Sequence, residues 1–415
     1  MHKLKSRQRN VTDDLVGIDN QLSAINTLLD MNSGGMRLIG IYGMGGIGKT
    51  TLAKIIFNQL TPYFGKYSSF LDDVREKSQN EGLVKLQEQL LSDIVNSRVA
   101  HNIDRTDYGM NTIGEILGNK KVLILLDDVD ENKQIEDLIG KNSLHLGTRI
   151  LVTTRKRRVL KIKGFKYEIL SLEMEALNDD DALQLFCRHA FGRDSPPNPY
   201  YSLSKEIGST TGGLPLALQV IGALLSHHKE RKYWEETLDK SRRTPHKDVL
   251  GKLRISYDAL ESEEQQIFVD IACFLINEEK INPIYVWKDC DFSPEHSIDV
   301  LINMSMIKVL DDSKFWMHDQ FRDLGRAIVR QENLKHPIKR SRVWNDNDAL
   351  NILRSTESKE NVQALKLQGE IWEDARVIVT PNEIRRFRHL WLLWLKDISY
   401  EGDFTSCLSK LKWIR

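Results

Sequence analysis

Apolar positions along the chain follow two rhythms. In the first, short runs read as strands: Arg37-Leu-Ile-Gly-Ile-Tyr42, Ser69 to Leu71, Lys121-Val-Leu-Ile-Leu-Leu126, Arg149-Ile-Leu-Val-Thr153 and the stretch around Tyr167 to Leu170. Between them the apolar residues fall at helical spacing: Leu52, Ile55, Ile56 and Leu60 up to a stop at Thr61-Pro62, then Leu83, Leu86, Leu90 and Leu91. Short apolar strands alternating with helices predict a parallel sheet covered on both faces. Beyond Leu170 the strand signal fades and helices take over.

The acidic run Asp179-Asp180-Asp181 follows Asn178 and precedes an apolar face of Leu183, Phe186, Cys187 and Ala190. That order predicts a capped helix start rather than a metal cluster, with Cys187 in the core. Arg193 to Pro199 is a loop by composition, and Gly212-Gly213 leads into an almost wholly apolar, buried helix with Pro215 in its first turn. Another helical segment begins near Lys247, places Ile267, Ile271, Phe274 and Leu275 on one face, and runs to about Trp344.

Past residue 355 a weak repeat of the form LxxLxL emerges in Val362, Leu365 and Leu367, then Leu390, Leu393 and Leu395, then Leu408, Leu411 and Trp413. These spacings straddle those of leucine-rich repeats. One repeat cannot bury its own face, so the array is expected to continue and the chain reads as the central section of a longer protein. Trp391 and Trp394 fit packing between repeats as well as a recognition surface.

The 415 residues are enough for several domains. Lys plus Arg and Asp plus Glu are 59 each, which argues against a general coat for nucleic acid or an anionic membrane. Four scattered cysteines suggest neither zinc ribbon nor disulfide framework. The longest apolar stretch, Leu214 to Leu225, is too short to span a bilayer and no apolar leader follows Met1, so an intracellular, cytoplasmic protein is expected.

Gly43-Met-Gly-Gly-Ile-Gly48-Lys49-Thr50 satisfies GxxxxGK[ST] between a predicted strand and a predicted helix. The loop Gly43, Gly45, Gly46, Ile47 and Gly48 offers backbone N–H groups to phosphate oxygens, with the helix N-terminus behind it. Lys49 is expected on the β- and γ-phosphates, and the Thr50 hydroxyl on Mg²⁺. A second carboxylate is needed for that metal, and Asp127-Asp128 follows the buried strand directly. Asp127 is assigned to the metal and Asp128 to the neighbourhood of the γ-phosphate, where it is the candidate catalytic residue; plain turn formation is the bland alternative. Arg155, after the strand ending at Thr153-Thr154, lies at the same sheet edge and is a candidate γ-phosphate sensor.

The ordered motifs resemble the NB-ARC core of plant intracellular immune receptors, of the subclass with an N-terminal Toll/interleukin-receptor (TIR) domain. The resemblance is carried by Gly43 to Thr51, Leu125-Leu-Asp-Asp-Val-Asp130, Gly147 to Arg155, Gly213-Leu-Pro-Leu-Ala-Leu218, Ile271-Ala-Cys-Phe-Leu275 and Met317-His318-Asp319. Asp130, and the stretch Phe70-Leu-Asp-Asp-Val-Arg75, point to the subclass.

Residues 1–10, with Lys3, Lys5, Arg7 and Arg9, read as an exposed linker rather than a basic targeting arm. The resemblance implies a P-loop domain at 11–174, a helical domain at 175–246, a winged helix at 247–345, and a linker with the first leucine-rich repeats at 346–415. It implies ADP at rest and ATP with Mg²⁺ when active. Val11, Thr12 and Val16 would close over base and ribose, Thr51 would join the phosphate loop, Pro215 would pack on the adenine side and His318 would touch the β-phosphate. The implied partners are the protein's own TIR and repeat domains, a pathogen effector or guarded host protein, and further copies on activation.

Two other readings stay open on the residues alone. A turnover ATPase usually carries glutamate where Asp128 stands, and the shorter side chain suggests slow hydrolysis. A winged-helix DNA regulator would use a basic stripe such as Arg322, Arg326 and Arg330, which Asp323 and Glu332 dilute.

Overall fold

The computed structural model describes residues 8–12, 14–95, 105–140, 144–162, 169–228, 230–243, 249–368, 378–405 and 411–414. The chain divides into two compact units, Met1–Leu218 and Gln219–Arg415.

The first unit is built on five strands, β1 (Arg37–Tyr42), β2 (Ser68–Leu71), β3 (Leu123–Val129), β4 (Arg149–Thr154) and β5 (Ile169–Glu173). All are parallel, in the order β2-β3-β4-β1-β5. β2, β3 and β4 are buried throughout, as strands covered on both faces must be. Leu86, Leu90, Ile113, Leu117, Ile135 and Leu138 from the flanking helices pack on Ile124, Leu126, Ile150 and Val152 of the sheet.

Arg149, nearly inaccessible at 1% exposure, is satisfied inside this core. Its guanidinium donates to the carbonyls of Leu29, Asp30, Ser33, Gly35 and Thr148, tying the approach to β1 onto the sheet. Arg9, expected in an exposed linker, is pinned as well. Its backbone exchanges hydrogen bonds with the Asn58 side chain, and its guanidinium donates to Phe70 O, pairs with Asp72 at 3.2 Å and lies over the Phe70 ring.

Most strand boundaries shift by one to three residues from expectation, β5 for example ending at Glu173 instead of Leu170, and two differences matter more. The helix after the phosphate loop runs Lys49–Phe64 and takes Pro62 inside its last turn, instead of stopping at Thr61-Pro62. A proline so near the C-terminus frees one carbonyl close to an end where carbonyls are unpaired anyway. β3 also does not stop at Leu126 but continues to Val129 through a bulge: Leu126 pairs with Val152 and Val129 with Thr154, so two aspartates oppose one residue of β4. Asp128 takes the left-handed conformation, φ 52°, which aspartate tolerates better than most residues. Around the fifth strand, the expected Tyr167 lies outside the described residues.

Helix Asp179–Phe191 starts as expected: the Asn178 side chain accepts from Asp181 N. Cys187 is buried, and burial pushes its thiol up to about 12.

In the second unit, helices Arg231–Arg243, Val249–Asp258 and Ser262–Asp270 lead into a single π-helical turn, Ile271–Leu275. Helices Ile281–Lys288 and Pro294–Asn303 follow, then an antiparallel hairpin of β6 (Ile307–Val309) and β7 (Phe315–Met317), then helix Asp319–Glu332. That last helix packs on the π turn so closely that a Cβ on Gly325 would sit 2.5 Å from Ala272 Cβ. Asp270, 1% exposed, accepts hydrogen bonds from Trp287 Nε1 at 3.0 Å and Arg342 Nε at 2.9 Å, a buried ion pair with its lone pairs engaged.

The end of the chain stacks parallel strands β8 (Arg342–Val343), β9 (Ala364–Gln368), β11 (Leu392–Lys396) and β13 (Trp413–Ile414), in the order β13-β11-β9-β8; β10 (Ile378–Val379) and β12 (Ser399–Tyr400) form a separate pair. Leu365 opposes Leu393 and Leu367 opposes Leu395, the offset of 28 residues that the repeat pattern gives. The next step differs: Leu393 opposes Ile414 rather than Leu411, an offset of 21 residues instead of 18. Leu411 instead packs against the apolar cluster beneath the strands, while Leu408 lies outside the described residues. Trp394 stacks between Lys366 and Trp413, so it serves packing along the stack.

Candidate functional site

The phosphate loop leaves β1 and enters helix Lys49–Phe64 at the carboxyl edge of the sheet, where α/β proteins hold their ligands. Gly43 N donates to Thr154 O, tying the loop to β4. Gly46 has φ +74°, and Leu216 N donates to its carbonyl at 3.2 Å. A Cβ here would lie 2.9 Å from Leu216 Cβ, so the glycine is needed for both its backbone angle and the close approach of the Gly213-Leu-Pro-Leu216 segment. Gly213 is equally constrained: φ is +68°, and an added Cβ would meet Leu177 O at 2.2 Å. Pro215 opens helix Pro215–Ser226 from this docked segment.

Lys49 is buried, and its ammonium donates to Gly43 O at 2.9 Å and Met44 O at 2.8 Å, so its charge sits within the loop. Thr50 Oγ1 is 2.9 and 3.0 Å from the two oxygens of Asp127. Thr153 Oγ1 donates to Asp127 Oδ1 at 2.5 Å and accepts from Asp128 N at 2.8 Å, fastening both halves of the bulge. Burial pushes the Asp127 carboxyl up to about 7 against these hydroxyls, which favour its charged form; the neighbouring Asp128 adds to the rise. Thr50 and Asp127 form an oxygen-only donor set that suits a hard divalent cation.

Asp128 is held from both sides. Arg75 Nε is 3.0 Å from Oδ2 and Arg155 Nε is 3.3 Å from Oδ1. Sheet order explains this: Leu71 of β2 and Val152 of β4 both stand in register with Leu126 of the strand between them. The segments leaving the three strands therefore emerge side by side, with Asp128 in the middle. Sequence reasoning brought Asp127, Asp128 and Arg155 to this edge but missed Arg75, although the stretch Phe70 to Arg75 stood out on other grounds.

Val11 and Thr12 line an open groove with Leu15 against Ile55, Asn58 and Gln59 of the phosphate-loop helix. Val16 lies half-buried further along the leader, and Thr51 lies in the first turn of the helix. His318 belongs to the second unit. It caps helix Asp319–Glu332, its Nδ1 accepting from Gln320 N at 3.1 Å and lying against Asp319 Oδ1. The basic stripe that a DNA reader would expose is broken up: Arg322 is 2% exposed, Arg326 is half-buried, and only Arg330 of the three is exposed, its guanidinium lying with that of Arg326 over Trp344.

Fold and loop together define a P-loop nucleotide-binding fold. A signal transduction ATPase with a tetratricopeptide repeat sensor from Pyrococcus horikoshii shares this fold, with TM-score 0.51 and 19% identity over 84% of this chain and 47% of that one. The NB-ARC domain model matches residues 18–195, and the winged-helix domain model of Roq1-like disease resistance proteins matches residues 261–333. The chain therefore carries an NB-ARC domain followed by a winged-helix domain of the disease-resistance type. Disease resistance protein RUN1 of Vitis rotundifolia is 35% identical over 99% of this chain, and TMV resistance protein N of Nicotiana glutinosa is 36% identical over 80% of it. This chain spans 30% and 28% of the lengths of those relatives. Among the described residues no helix is long and apolar enough to cross a membrane.

Proposed function

We propose that the chain is the nucleotide-operated switch of a plant intracellular disease-resistance receptor, resting with ADP and activated by exchange to ATP with Mg²⁺. In the full-length receptor it stands between a TIR domain and leucine-rich repeats, works in the cytoplasm, answers to a pathogen effector or guarded host protein read by the repeats, and oligomerises when activated.

The observation that carries this reading is the first unit's site, where the phosphate loop, the docked Gly213 to Leu216 segment and the Thr50–Asp127–Thr153 cluster meet at one edge. Phosphates would lie on the loop N–H groups and the Lys49 ammonium, with Mg²⁺ on Thr50 and Asp127, the latter through water. When bound, the metal neutralises charge on the phosphates. The phosphate oxygens, a stronger charge-assisted partner, would draw Lys49 away from the Gly43 and Met44 carbonyls. Val11, Thr12 and Val16 cover base and ribose together with Pro215. The resemblance gives His318, with Asp319 against its Nδ1, the role of reporting on the diphosphate.

Slow chemistry fits such a switch better than turnover, because Asp128 is paired with two arginines and must be released from them before it can take a proton from water. Steady-state hydrolysis by the purified chain tests this. The reading expects a rate well below the order of 1 s⁻¹ typical of enzymes, and a rate at or above it supports a turnover ATPase instead. Asp319→Ala tests the reporter: purified protein should retain less ADP than wild type after desalting, and equal occupancy removes His318 and Asp319 from the mechanism.

A further inference from the structure

Arg75 is the charged group of the site that no phosphate-loop motif accounts for. It stands in the first turn of helix Val74–Asn80, whose preceding residue Asp73 takes a left-handed φ of 55°. That turn, four residues beyond the Leu71–Leu126 pair, aims the guanidinium at Asp128. All three side chains of the cluster are largely withdrawn from solvent: Arg75 is 19% exposed, Asp128 12% and Arg155 23%. Ion pairs this sheltered are screened far less than surface pairs. The backbone of Asp128 is fixed by its left-handed angle and by the Thr153 hydroxyl on its N–H, so its carboxylate can follow a departing arginine only as far as its own short side chain reaches.

We propose that Arg75 is a second arginine of the nucleotide site, which clasps Asp128 together with Arg155, and that a terminal phosphate competes with Asp128 for both guanidinium groups. The inference rests on the nucleotide-switch reading and adds to it a residue and a rule of competition. A nucleoside diphosphate leaves the clasp closed, with one carboxylate shared by two cations. A triphosphate brings an anion of higher charge and three acceptor oxygens, and guanidinium groups pair with phosphate oxygens at least as well as with carboxylate. As the arginines turn to the phosphate, Asp128 loses both partners and becomes available to accept a proton from water. The same exchange thus links recognition of the third phosphate to arming of the carboxylate. Arg75 thus binds the third phosphate directly in this scheme and affects proton transfer only through Asp128.

The test compares dissociation constants for ADP and a non-hydrolysable ATP analogue, measured with Mg²⁺ on the purified chain by competition against a fluorescent ADP. Asp128→Asn should free the arginines and shift the ratio toward the triphosphate by roughly tenfold, the worth of one charge-assisted contact. In the Asp128→Asn background, Arg75→Ala should remove most of that shift and Arg75→Lys should keep part of it, a coupling that a merely structural role for Arg75 would not produce. An unchanged ratio in Asp128→Asn overturns the clasp, as does a full shift surviving in Asp128→Asn/Arg75→Ala. Should the alanine variant lose its cooperative thermal transition, Arg75→Gln takes its place, and the Asp128→Asn single variant already decides whether the carboxylate competes. Wild-type protein that binds neither nucleotide overturns the underlying switch reading, whereas binding without the coupling overturns the clasp alone.

Discussion

Single positions at the phosphate edge are under tight geometric demand, Gly46 among them. Gly46→Ala must hold a side chain at φ +74° and push against Leu216 Cβ at 2.9 Å. Strain of about 1–2 kcal/mol from the left-handed backbone and about 1–3 kcal/mol from overpacking should lower the melting temperature by several degrees, measured by differential scanning fluorimetry. An unchanged melting temperature would show that Leu216 does not sit on the loop. Lys49→Ala acts differently: it removes a cation from loop carbonyls and should leave the fold intact while abolishing stable nucleotide binding, read by isothermal titration with ADP. The loop was legible in the sequence because its glycines, lysine and threonine are contiguous and serve one ligand. Arg75 was not legible, since its partner lies 53 positions away and only the register of β2 on β3 brings them together.

Elements were read correctly where packing alone decides them and misread where a local device intervenes. The strands covered on both faces are continuous apolar runs, so the parallel sheet followed from their alternation with helices. β3 outran its apolar run because a bulge carries the chain through two buried aspartates, which no hydrophobic pattern announces. Strand spacing at the end of the chain failed for a related reason: an LxxLxL match counts leucines, whereas register is set by which residues pair, and Trp413 with Ile414 takes the place the pattern gave to Leu411. The buried pair Asp270–Arg342 joins helix Ser262–Asp270 to the first strand of this stack. Arg342→Ala leaves a carboxylate 1% exposed with Trp287 alone among its two named partners, and should cost about 3–5 kcal/mol in urea unfolding. The double variant Asp270→Leu/Arg342→Met should recover a large part of that loss, and equal destabilisation by single and double variants would argue against a charge effect.

The whole molecule joins a P-loop unit to a unit of helices, a winged helix and a stack of short parallel strands within one chain, and the equal count of 59 basic and 59 acidic residues suits a protein that meets an anionic ligand locally. A ligand moves such a molecule between states only by binding them with different strength, and ADP and ATP differ by one phosphate. The direct test is therefore the identity and stoichiometry of nucleotide released when the purified chain is denatured and its supernatant resolved by ion-exchange chromatography. The account predicts close to one ADP per chain from wild type and almost none from Lys49→Ala. Wild-type protein that purifies free of nucleotide and binds none on titration, or a Lys49→Ala variant that retains a full complement of ADP, would contradict it.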